Sequence, residues 1–463
     1  MQSPFDIAAD LDTPVSTWLK LAPLQPRYLL ESVEGGVHLA RYSFLGFGAA
    51  LEFRLDADGL RVGVEHRARP GSRDELLDVL RTMLTRAPQL APVVPDLPFS
   101  GGLVGVGAYD LVRHFERLPN APVHPDNPQG PEAAYLAAES LLVFDHLTRR
   151  IALLHAGSEA ERLKLRAEVV RLLRGALPAA SAAGTHSASR QSLSREQFIQ
   201  AVDASKASIT RGDVYQLVLS VQFTGTHNLS PFEAYRALRL LNPSPYMFFI
   251  DLGDIQVAGS SPEALVKLRR GHASLRPIAG TRPRGETPEE DVAHEQSLLA
   301  DEKENAEHVM LVDLARNDLG RVAAAGSVHV DPYRSIERYS HVMHIVSGVQ
   351  GEIEKGRDAF DLFAAAFPAG TLVGAPKVRA MQLIDELEPV RRGIYAGTVG
   401  YFASNGDMDQ AIAIRTLVFR GNAYSYQAGA GIVADSVPDS EYNEVLAKSA
   451  ILREALTMAE EGL

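Results

Sequence analysis

The sequence predicts an α+β protein built on antiparallel β-sheets. Strand-like and helical segments come in blocks along the chain, whereas a parallel α/β sheet would require strict alternation. Residues 264–269 and 273–275 alternate in polarity on either side of Gly271, which is typical of an antiparallel hairpin. With 463 residues, the chain should contain more than one lobe.

The composition is that of an ordinary soluble enzyme, and it excludes several kinds of protein. Hydrophobic residues make up 46% of the chain, which is enough for a large core. The net charge of −12, with no basic segment, disfavours nucleic-acid binding. The chain has no cysteine, so it has no disulfide, no thiolate nucleophile and no zinc–thiolate site.

The amino-terminal sequence, MQSPFDIAADLDTP, is acidic and lacks the apolar segment of a signal peptide. We find no stretch of sequence that is long and apolar enough to span a bilayer. These two observations predict a cytoplasmic protein.

A change of composition divides the chain into two parts. Residues 178–190 are rich in Ala and Ser without periodicity, which is typical of a flexible linker. We therefore predict an amino-terminal lobe at 1–177, a linker at 178–192 and a second domain at 193–463.

The amino-terminal part mixes strands and helices. We predict strands at 28–32 and 40–46, an amphipathic helix at 74–84, a hairpin formed by 141–145 and 150–154, and a helix at 159–173. The glycine-rich run 100–107 superficially resembles a dinucleotide-binding loop. Because no strand–turn–helix unit surrounds it, close packing of strands is the favoured interpretation.

The second part opens with a helix whose two ends are marked in the sequence. Ser194 and Gln197 form a capping box, and Gly212 ends the helix. Strands are predicted at 214–220 and, after a rigid proline-containing turn, at 248–250.

Two pairs of glutamates are spaced three residues apart. Glu304 and Glu307 share one face of a helix predicted at 301–321, and Glu441 and Glu444 share one face of the last predicted helix. Like charges held side by side repel, so each pair favours a nearby cation. If the pairs face each other, they form an oxygen-rich site for a hard cation such as Mg²⁺. A solvated acidic surface is the alternative, and spacing alone leaves the two evenly balanced.

Four further features have both a chemical and a structural interpretation. The glycines of 427–432 allow backbone N–H groups to approach an anion, or allow a tight bend. The Gly/Pro-rich loop 367–377 lacks the glycine spacing of a phosphate-binding loop. Arg415 lies in a strand-like apolar run, and a buried guanidinium group there needs a carboxylate partner. A purely structural ion pair is the alternative interpretation. His344, in another apolar run, is a type of residue that is more often structural than catalytic.

Taken together, these stretches resemble the chorismate-utilising enzymes. The resemblance is carried by the runs PIAGT (277–281), EHVMLVDLARNDLGRV (307–322), YSHVMHIVS (339–347), FPAGTLVGAPKVRAM (367–381), YAGTVGY (395–401), IAIRT (412–416) and QAGAGIVADS (427–436), and by the helix with Glu441, Glu444 and Lys448. These motifs span roughly residues 193–460, and the amino-terminal stretch also matches. The resemblance implies a fold in which large antiparallel β-sheets form a β-sandwich with helices packed on the outside.

The resemblance also implies a metal site and substrate contacts. Glu304, Glu307, Glu441 and Glu444 would bind Mg²⁺, with Glu307 and Glu444 as direct ligands, and the metal would hold the ring carboxylate of chorismate beside Lys448. Arg415, Tyr395 and the backbone of Gly429, Ala430 and Gly431 would hold the enolpyruvyl carboxylate. Thr371 and His344 would line the ring. Glu263 would assist departure of the C4 hydroxyl as general acid, which requires a protonated carboxyl.

Two positions select a branch of this family. Water-adding members carry Lys where Gln216 stands, and an amide cannot activate water. Aminodeoxychorismate-forming members often carry an attacking Lys where Ala279 stands. The resemblance therefore implies addition of ammonia at C2 and loss of pyruvate, giving anthranilate in the first committed step of tryptophan biosynthesis. Val373 departs from the family, which commonly has Ser there, so a hydroxyl is lost near Thr371.

The expected ammonia source is a separate glutamine amidotransferase, because this chain has no Cys to serve as a glutaminase nucleophile. Two segments resemble the family's tryptophan feedback pocket and contribute Glu31, Ser32, Pro243, Ser244, Pro245, Tyr246 and Met247. Simple packing between lobes is the alternative for these segments. For the whole chain, the alternatives are aminodeoxychorismate formation for the folate pathway and a catalytically silent tryptophan-binding regulator.

Overall fold

The computed structural model describes residues 4–32, 41–118, 130–179, 184–338 and 342–463. Three sequence features fall partly outside these ranges: the start of the strand predicted at 40–46, part of the predicted linker, and the first three residues of the YSHVMHIVS run.

The helices begin and end close to where their sequence signals lie. Those in the described ranges are α1 Pro14–Lys20, α2 Arg73–Arg86, α3 Glu159–Leu173, α4 Arg195–Thr210, α5 Pro231–Leu241, α6 Pro288–Ala300, α7 Glu302–Gly320, α8 Ala359–Ala366, α9 Lys377–Leu387 and α10 Pro438–Glu461, with 3₁₀ turns at Ala22–Leu24, Tyr109–His114 and Gly370–Leu372. The capping box of Ser194 and the left-handed backbone of Gly212 are both present, so the predicted ends of α4 are confirmed.

The strands are more numerous than the sequence indicated, and several are longer. They are β1 Ile7–Ala8, β2 Pro26–Glu31, β3 Tyr42–Asp56, β4 Gly59–Val62, β5 Glu65–Arg67, β6 Gly102–Gly107, β7 Ala133–Asp145, β8 Arg150–His155, β9 Arg190–Gln191, β10 Gln216–Thr226, β11 Tyr246–Asp251, β12 Ile255–Ser261, β13 Ala264–Arg269, β14 His272–Leu275, β15 Ile278–Pro283, β16 His329–Val330, β17 Ser335–Arg338, β18 Val342–Val346, β19 Val349–Glu352, β20 Gly374–Ala375, β21 Thr398–Ala403, β22 Met408–Ile412, β23 Thr416–Arg420 and β24 Ala423–Ile432.

Hydrogen bonding joins 21 of these strands into one sheet, and β15, β17 and β18 form a second, small sheet. The described neighbouring strands pair antiparallel. The long strands β3 and β7 pair along most of their length, with a register shift between Phe47 and Ala50. The first half of β3 also pairs with β2, and the first half of β7 also pairs with β6. The sheet therefore continues from the two long strands in two arms, one through β2 and β11 and the other through β6 and β21.

Alternate residues of the strands pack into two different cores. Tyr28 and Phe248 lie in a core made only of strand and loop residues, where one arm of the sheet faces the other. Their neighbours Leu29 and Phe249 lie in a larger core that includes residues of α2, α4, α5 and α10. The α+β class with a large antiparallel sheet is therefore confirmed. In place of a sandwich of separate sheets, a single sheet curls until its two arms pack together.

The glycine-rich run 100–107 is part of this close packing. It forms β6, between β7 and β21. A Cβ atom added to Gly105 would lie 2.0 Å from the carbonyl oxygen of Ala134. Glycine is required there for two backbones to approach, so the structural interpretation of the run is confirmed.

Two other local predictions are modified by the structure. Within the predicted linker, Gln191 pairs with Phe223 of β10, so this part of the linker is tied to the sheet. Arg415 does not lie inside a strand: it occupies the turn between β22 and β23 with a φ of 49°. The division into lobes at 178–192 stays a prediction.

Within the described ranges, we find no helix suited to crossing a membrane.

Candidate active site

The centre of the candidate site is the pairing of β10 with β24, where glycines keep the strand surface open. Gly429 lies opposite Ser220, and Gly431 lies opposite Val218. A Cβ atom at Gly429 would lie 2.8 Å from the Tyr395 hydroxyl oxygen. A Cβ atom at Gly431 would lie 2.7 Å from Nε2 of Gln216. The predicted residues Tyr395 and Gln216 therefore border the same glycine-lined face of β24.

Ala430 lies between these glycines but faces the other way. Its methyl group is buried in the main core, and its register partner is Leu219. Because side chains alternate along a strand, Ala430 can contribute only backbone atoms to a site on the glycine face.

The first pair of glutamates approaches this face from α7. The Nε2 atom of Gln216 donates a hydrogen bond of 3.4 Å to Oε1 of Glu307. Burial and the neighbouring charge of Glu307 raise the pKa of Glu304. A guanidinium nitrogen of Arg282 lies 3.8 Å from Oε1 of Glu304 and only partly offsets that repulsion.

The second pair of glutamates lies on α10. The Nζ atom of Lys448 lies 2.6 Å from Oε1 of Glu444 and donates a hydrogen bond of 3.3 Å to the carbonyl oxygen of Gly429. Burial raises the pKa of Glu441, and the charge of Glu444 adds to the effect, whereas Lys303 of α7 lowers it. The first turns of α7 and α10 are therefore close enough to interact electrostatically.

The donor chemistry of the two pairs fits a hard divalent cation. All four donors are carboxylates, and burial together with the charge of the neighbouring glutamate raises the pKa of one carboxyl in each pair. In the described part of the chain, however, we find no group of three acidic or histidine side chains arranged to hold a metal ion. The four glutamates thus provide suitable ligands on two helices without forming a closed cage.

Glu263 has the properties of a carboxylic acid that can donate a proton near neutral pH. It follows β12, and its Oε1 accepts a hydrogen bond of 3.1 Å from the Thr371 hydroxyl. Burial raises the pKa of Glu263 to about 7, although the Thr371 hydrogen bond and the positive charges of Lys448 and Arg415 lower it. A small cavity of about 50 Å³ contacts both Glu263 and Thr371.

His344 is neutral and oriented by the backbone. Its Nδ1 atom lies 2.9 Å from the carbonyl oxygen of Gly280 and 3.1 Å from the Thr281 hydroxyl. Burial lowers its pKa, and the charge of Arg415 contributes to the decrease. Because Nδ1 donates to a carbonyl, Nε2 is the acceptor nitrogen of the ring.

The arrangement also places the remaining predicted residues. Arg415 lies near both Glu263 and His344, as its effects on their pKa values show. Its carbonyl oxygen accepts a hydrogen bond from the backbone N–H of Ser260. Val373 is fully buried in the main core, so its side chain packs against apolar groups where a serine would present a hydroxyl.

Arg282 and Lys303, which no sequence pattern singled out, supply positive charge beside the glutamate pairs. Lys303 was visible as the residue before Glu304. Arg282 follows the PIAGT run, and only the packing of β15 against α7 brings it to Glu304 and Asp301.

The two segments predicted to form a regulatory pocket are neighbours in the sheet. Strand β2 pairs with β11, with Glu31 opposite Met247. The Glu31 carboxylate is buried and accepts hydrogen bonds from Tyr235 and Arg239. Ser32 follows Glu31 directly, so it lies at the end of the same pairing.

Members of the second segment differ in exposure. Pro243 is exposed and Pro245 partly buried, whereas Ser244 is buried. The Tyr246 hydroxyl donates a hydrogen bond of 3.0 Å to Asp409. The pairing therefore brings both segments together, as a shared pocket requires.

Comparison with known proteins gives consistent matches along nearly the whole chain. The family model for chorismate binding enzymes matches residues 25–454. Anthranilate synthase component 1 of Thermus thermophilus is 46% identical, over 98% of this chain and 97% of that protein. The corresponding protein of Pseudomonas aeruginosa is 44% identical, over 99% of this chain and 96% of its own length.

A solved structure supports the same relationship. The crystal structure of anthranilate synthase component I from Streptococcus pneumoniae is similar with a TM-score of 0.79 and 36% identity, covering 89% of this chain and 92% of that one. The menaquinone-specific isochorismate synthase MenF of Escherichia coli has a TM-score of 0.71 at 20% identity, which shows a shared fold alone.

The raised pKa of Glu263 predicts a pH-dependent effect of Glu263→Gln on stability. Below pH 4.5 the carboxyl is protonated in both folded and unfolded chains. Between pH 4.5 and 7 only the unfolded chain loses the proton, so burying Glu263 becomes costly as pH rises. Glu263→Gln should therefore raise the thermal unfolding midpoint at pH 8, by the equivalent of at most about 3 kcal/mol, and leave it nearly unchanged at pH 4.5.

Thermal unfolding of both proteins at the two pH values measures this effect. Glu454→Gln, on the exposed side of α10, is the control and should change the midpoint little at either pH. Equal shifts at pH 4.5 and pH 8 would contradict the assigned pKa.

Proposed function

This chain belongs to the chorismate binding enzyme family and, within it, to the anthranilate synthase component 1 proteins, and we propose that it converts chorismate and ammonia to anthranilate and pyruvate. The observation that carries the proposal is the neutral amide of Gln216, which borders the glycine-lined face and contacts Glu307. An amide cannot deprotonate water, whereas ammonia is already a nucleophile.

In the proposed reaction, ammonia attacks C2 of chorismate and the C4–oxygen bond breaks as the ring double bonds shift. Glu263 gives its proton to the departing hydroxyl, which leaves as water. The ammonium group formed at C2 loses a proton, which balances the proton given up by Glu263. The C2 proton is then removed as the C3–oxygen bond breaks, the ring becomes aromatic, and the released enolpyruvate takes up a proton on its methylene carbon to give pyruvate. The pKa of Glu263, about 7, keeps a large fraction of this carboxyl protonated at neutral pH.

The proposed substrate contacts come from the family resemblance, and the site geometry supports them. Arg415, Tyr395 and the backbone along Gly429–Gly431 hold the enolpyruvyl carboxylate. Thr371 orients Glu263 through their hydrogen bond, and His344 lines the ring. The four glutamates of α7 and α10 hold Mg²⁺, which when bound supplies positive charge for the ring carboxylate.

We expect the isolated chain to form anthranilate from chorismate with ammonium salts and Mg²⁺, more rapidly at raised pH because free ammonia is then more abundant. With glutamine as the only nitrogen source, it should form none, because it has no cysteine to hydrolyse the side-chain amide. Anthranilate fluorescence measures both reactions.

This experiment also separates the alternatives. Formation of aminodeoxychorismate would identify the folate branch, against which the apolar Ala279 argues because it cannot attack the ring. Absence of any chorismate turnover would favour a silent regulator. Turnover with glutamine by the pure chain would contradict the need for a separate amidotransferase partner.

Metal dependence follows from the proposed roles of the glutamates. Chelation should abolish turnover, and Glu444→Gln should lower it by at least about 100-fold, the scale of losing a major charge interaction. Circular dichroism should show a folded variant, because Glu444 is exposed. Glu454→Gln, ten residues further along α10, should retain full activity. Full activity of Glu444→Gln without added metal would refute its role as a ligand.

We also propose that tryptophan inhibits the enzyme by binding between the segments around Ser32 and Met247. The register of β11 with β12 supports a coupling to catalysis. Tyr246 lies opposite Ser261, two residues before Glu263, and the Ser261 hydroxyl contacts the backbone of Glu263. A ligand that displaces β11 therefore acts on the strand that positions the general acid.

Ser32→Phe should fill this pocket and relieve inhibition while leaving uninhibited turnover nearly unchanged. Inhibition curves at fixed chorismate compare it with the unaltered protein, and Ser404→Phe in the exposed β21–β22 turn is the control. Calorimetry should show weaker tryptophan binding when chorismate is present, because coupling is reciprocal. Unchanged inhibition of Ser32→Phe would place the pocket elsewhere.

A further inference from the structure

We propose that the buried ion pair of Glu388 and Arg392 positions the active site, by fixing the backbone segments that carry Gln216, Thr371 and Tyr395. The inference rests on the proposed function, because it assigns these three residues to the same reaction. Neither member of the pair is assigned to substrate contact. Both are buried, with side chains 4% and 1% exposed for Glu388 and Arg392, respectively.

The guanidinium group of Arg392 connects two site segments directly. Its Nη1 donates a hydrogen bond of 2.7 Å to the carbonyl oxygen of Leu372, the neighbour of Thr371. Its Nη2 donates one of 2.8 Å to the carbonyl oxygen of Val218, two residues after Gln216. The planar fork can satisfy both carbonyls at once, which a lysine ammonium at the end of a flexible stem cannot do with the same geometry.

Glu388 fixes the orientation of that fork and adds a second attachment to β10. Its two oxygens accept hydrogen bonds of 2.6 Å and 2.9 Å from Arg392. Oε1 also accepts from the backbone N–H of Ser220, at 2.8 Å, and from its hydroxyl, at 2.7 Å. Ser220 is the register partner of Gly429, so the carboxylate fixes β10 where the glycine-lined face begins.

Aromatic contact extends the arrangement to Tyr395. The guanidinium carbon of Arg392 lies 5.7 Å from the ring centre of Tyr395 and 5.0 Å from that of Tyr109. These distances are within the range of cation–π attraction. The ring whose hydroxyl lies beside Gly429 is thus held against the same side chain that binds the two carbonyls.

Stability alone does not account for these contacts. Replacing a buried ion pair with apolar side chains of similar volume is often neutral or stabilising, because desolvation of the charges is costly. This pair instead uses charge-assisted hydrogen bonds to join β10, the Gly370–Leu372 turn and Tyr395. These segments are distant in sequence, and each carries a residue proposed to contact substrate or the general acid.

Arg392→Lys tests the proposal, because it keeps the charge and removes the fork. We expect kcat/KM for chorismate to fall about 10- to 100-fold in a folded protein. Arg162→Lys is the control: the Arg162 side chain is 9% exposed, pairs with the exposed Glu159 on α3 and donates a hydrogen bond to the carbonyl oxygen of Leu153. It should leave kcat and KM unchanged.

A double-mutant cycle distinguishes positioning from general destabilisation. The cycle compares the factor by which Arg392→Lys lowers kcat in the unaltered chain with the factor by which it lowers kcat in Thr371→Val. If Arg392 acts partly through Thr371, the second factor should be at least threefold smaller than the first. Equal factors in both backgrounds, or unchanged kcat and KM with a lower unfolding midpoint, would overturn the proposal.

If Arg392→Lys does not fold, Ser220→Ala provides the same test through Glu388. It should lower kcat/KM about 3- to 10-fold, and an unchanged value would overturn the proposal. Failure of the proposed function is distinguishable, since the unaltered chain would then form no anthranilate. Failure of the positioning role leaves the unaltered chain active.

Discussion

The pairing of β10 with β24 is the constraint on which the site depends. It aligns ten residues of each strand and places the glycines of the QAGAGIVADS run beside Gln216 and Ser220. Side chains at Gly429 or Gly431 would collide with Tyr395 or Gln216, so the bare backbone of β24 is what allows these groups to share one surface. Helix α10 packs against β24 and carries Lys448 to the carbonyl of Gly429.

Negative charge exceeds positive charge around the glutamate pairs of this surface. Burial raises the pKa values of Glu304 and Glu441, and the charges of Glu307 and Glu444 add to the effect, which Arg282, Lys303 and Lys448 only partly offset. Across the site, burial likewise raises the pKa of Glu263, whose hydrogen-bond partner is the Thr371 hydroxyl. One protein therefore keeps a group of acidic ligands and a proton donor in separate environments.

Local sequence signals predicted five of the ten α-helices in the described ranges, with ends close to those observed, and non-local pairing limited the prediction of strands. The predicted helix at 159–173 has those same bounds in the structure, because a capping box and apolar spacing determine it within one segment. The glutamate pairs were visible for the same reason. In contrast, the length of β3, the turn at Arg415 and the inward orientation of Ala430 depend on partners far away in sequence.

The family resemblance supplied residue roles, and the structure adds how they are supported. Glu388 and Arg392 are four residues apart and look like an ordinary helical ion pair in the sequence. Only the fold shows that Glu388 caps the end of α9, that Arg392 lies beyond the helix, and that the contacts of Arg392 reach Val218 and Leu372. Such supporting residues carry no motif of their own, since their function lies in which carbonyls they bind.

The strand order also has a consequence for synthesis on the ribosome. Strand β6 has β21 as one neighbour, with Gly102 opposite Ala403, about 300 residues later in the chain. At translation rates of about 5–20 residues per second, that edge of β6 stays unpaired for roughly 15–60 s before β21 has been synthesised. An apolar strand with an open edge can associate with other chains during this interval. Its three glycines leave little side-chain surface for such contacts, so the composition that permits close packing in the finished protein also limits misassembly of the nascent one.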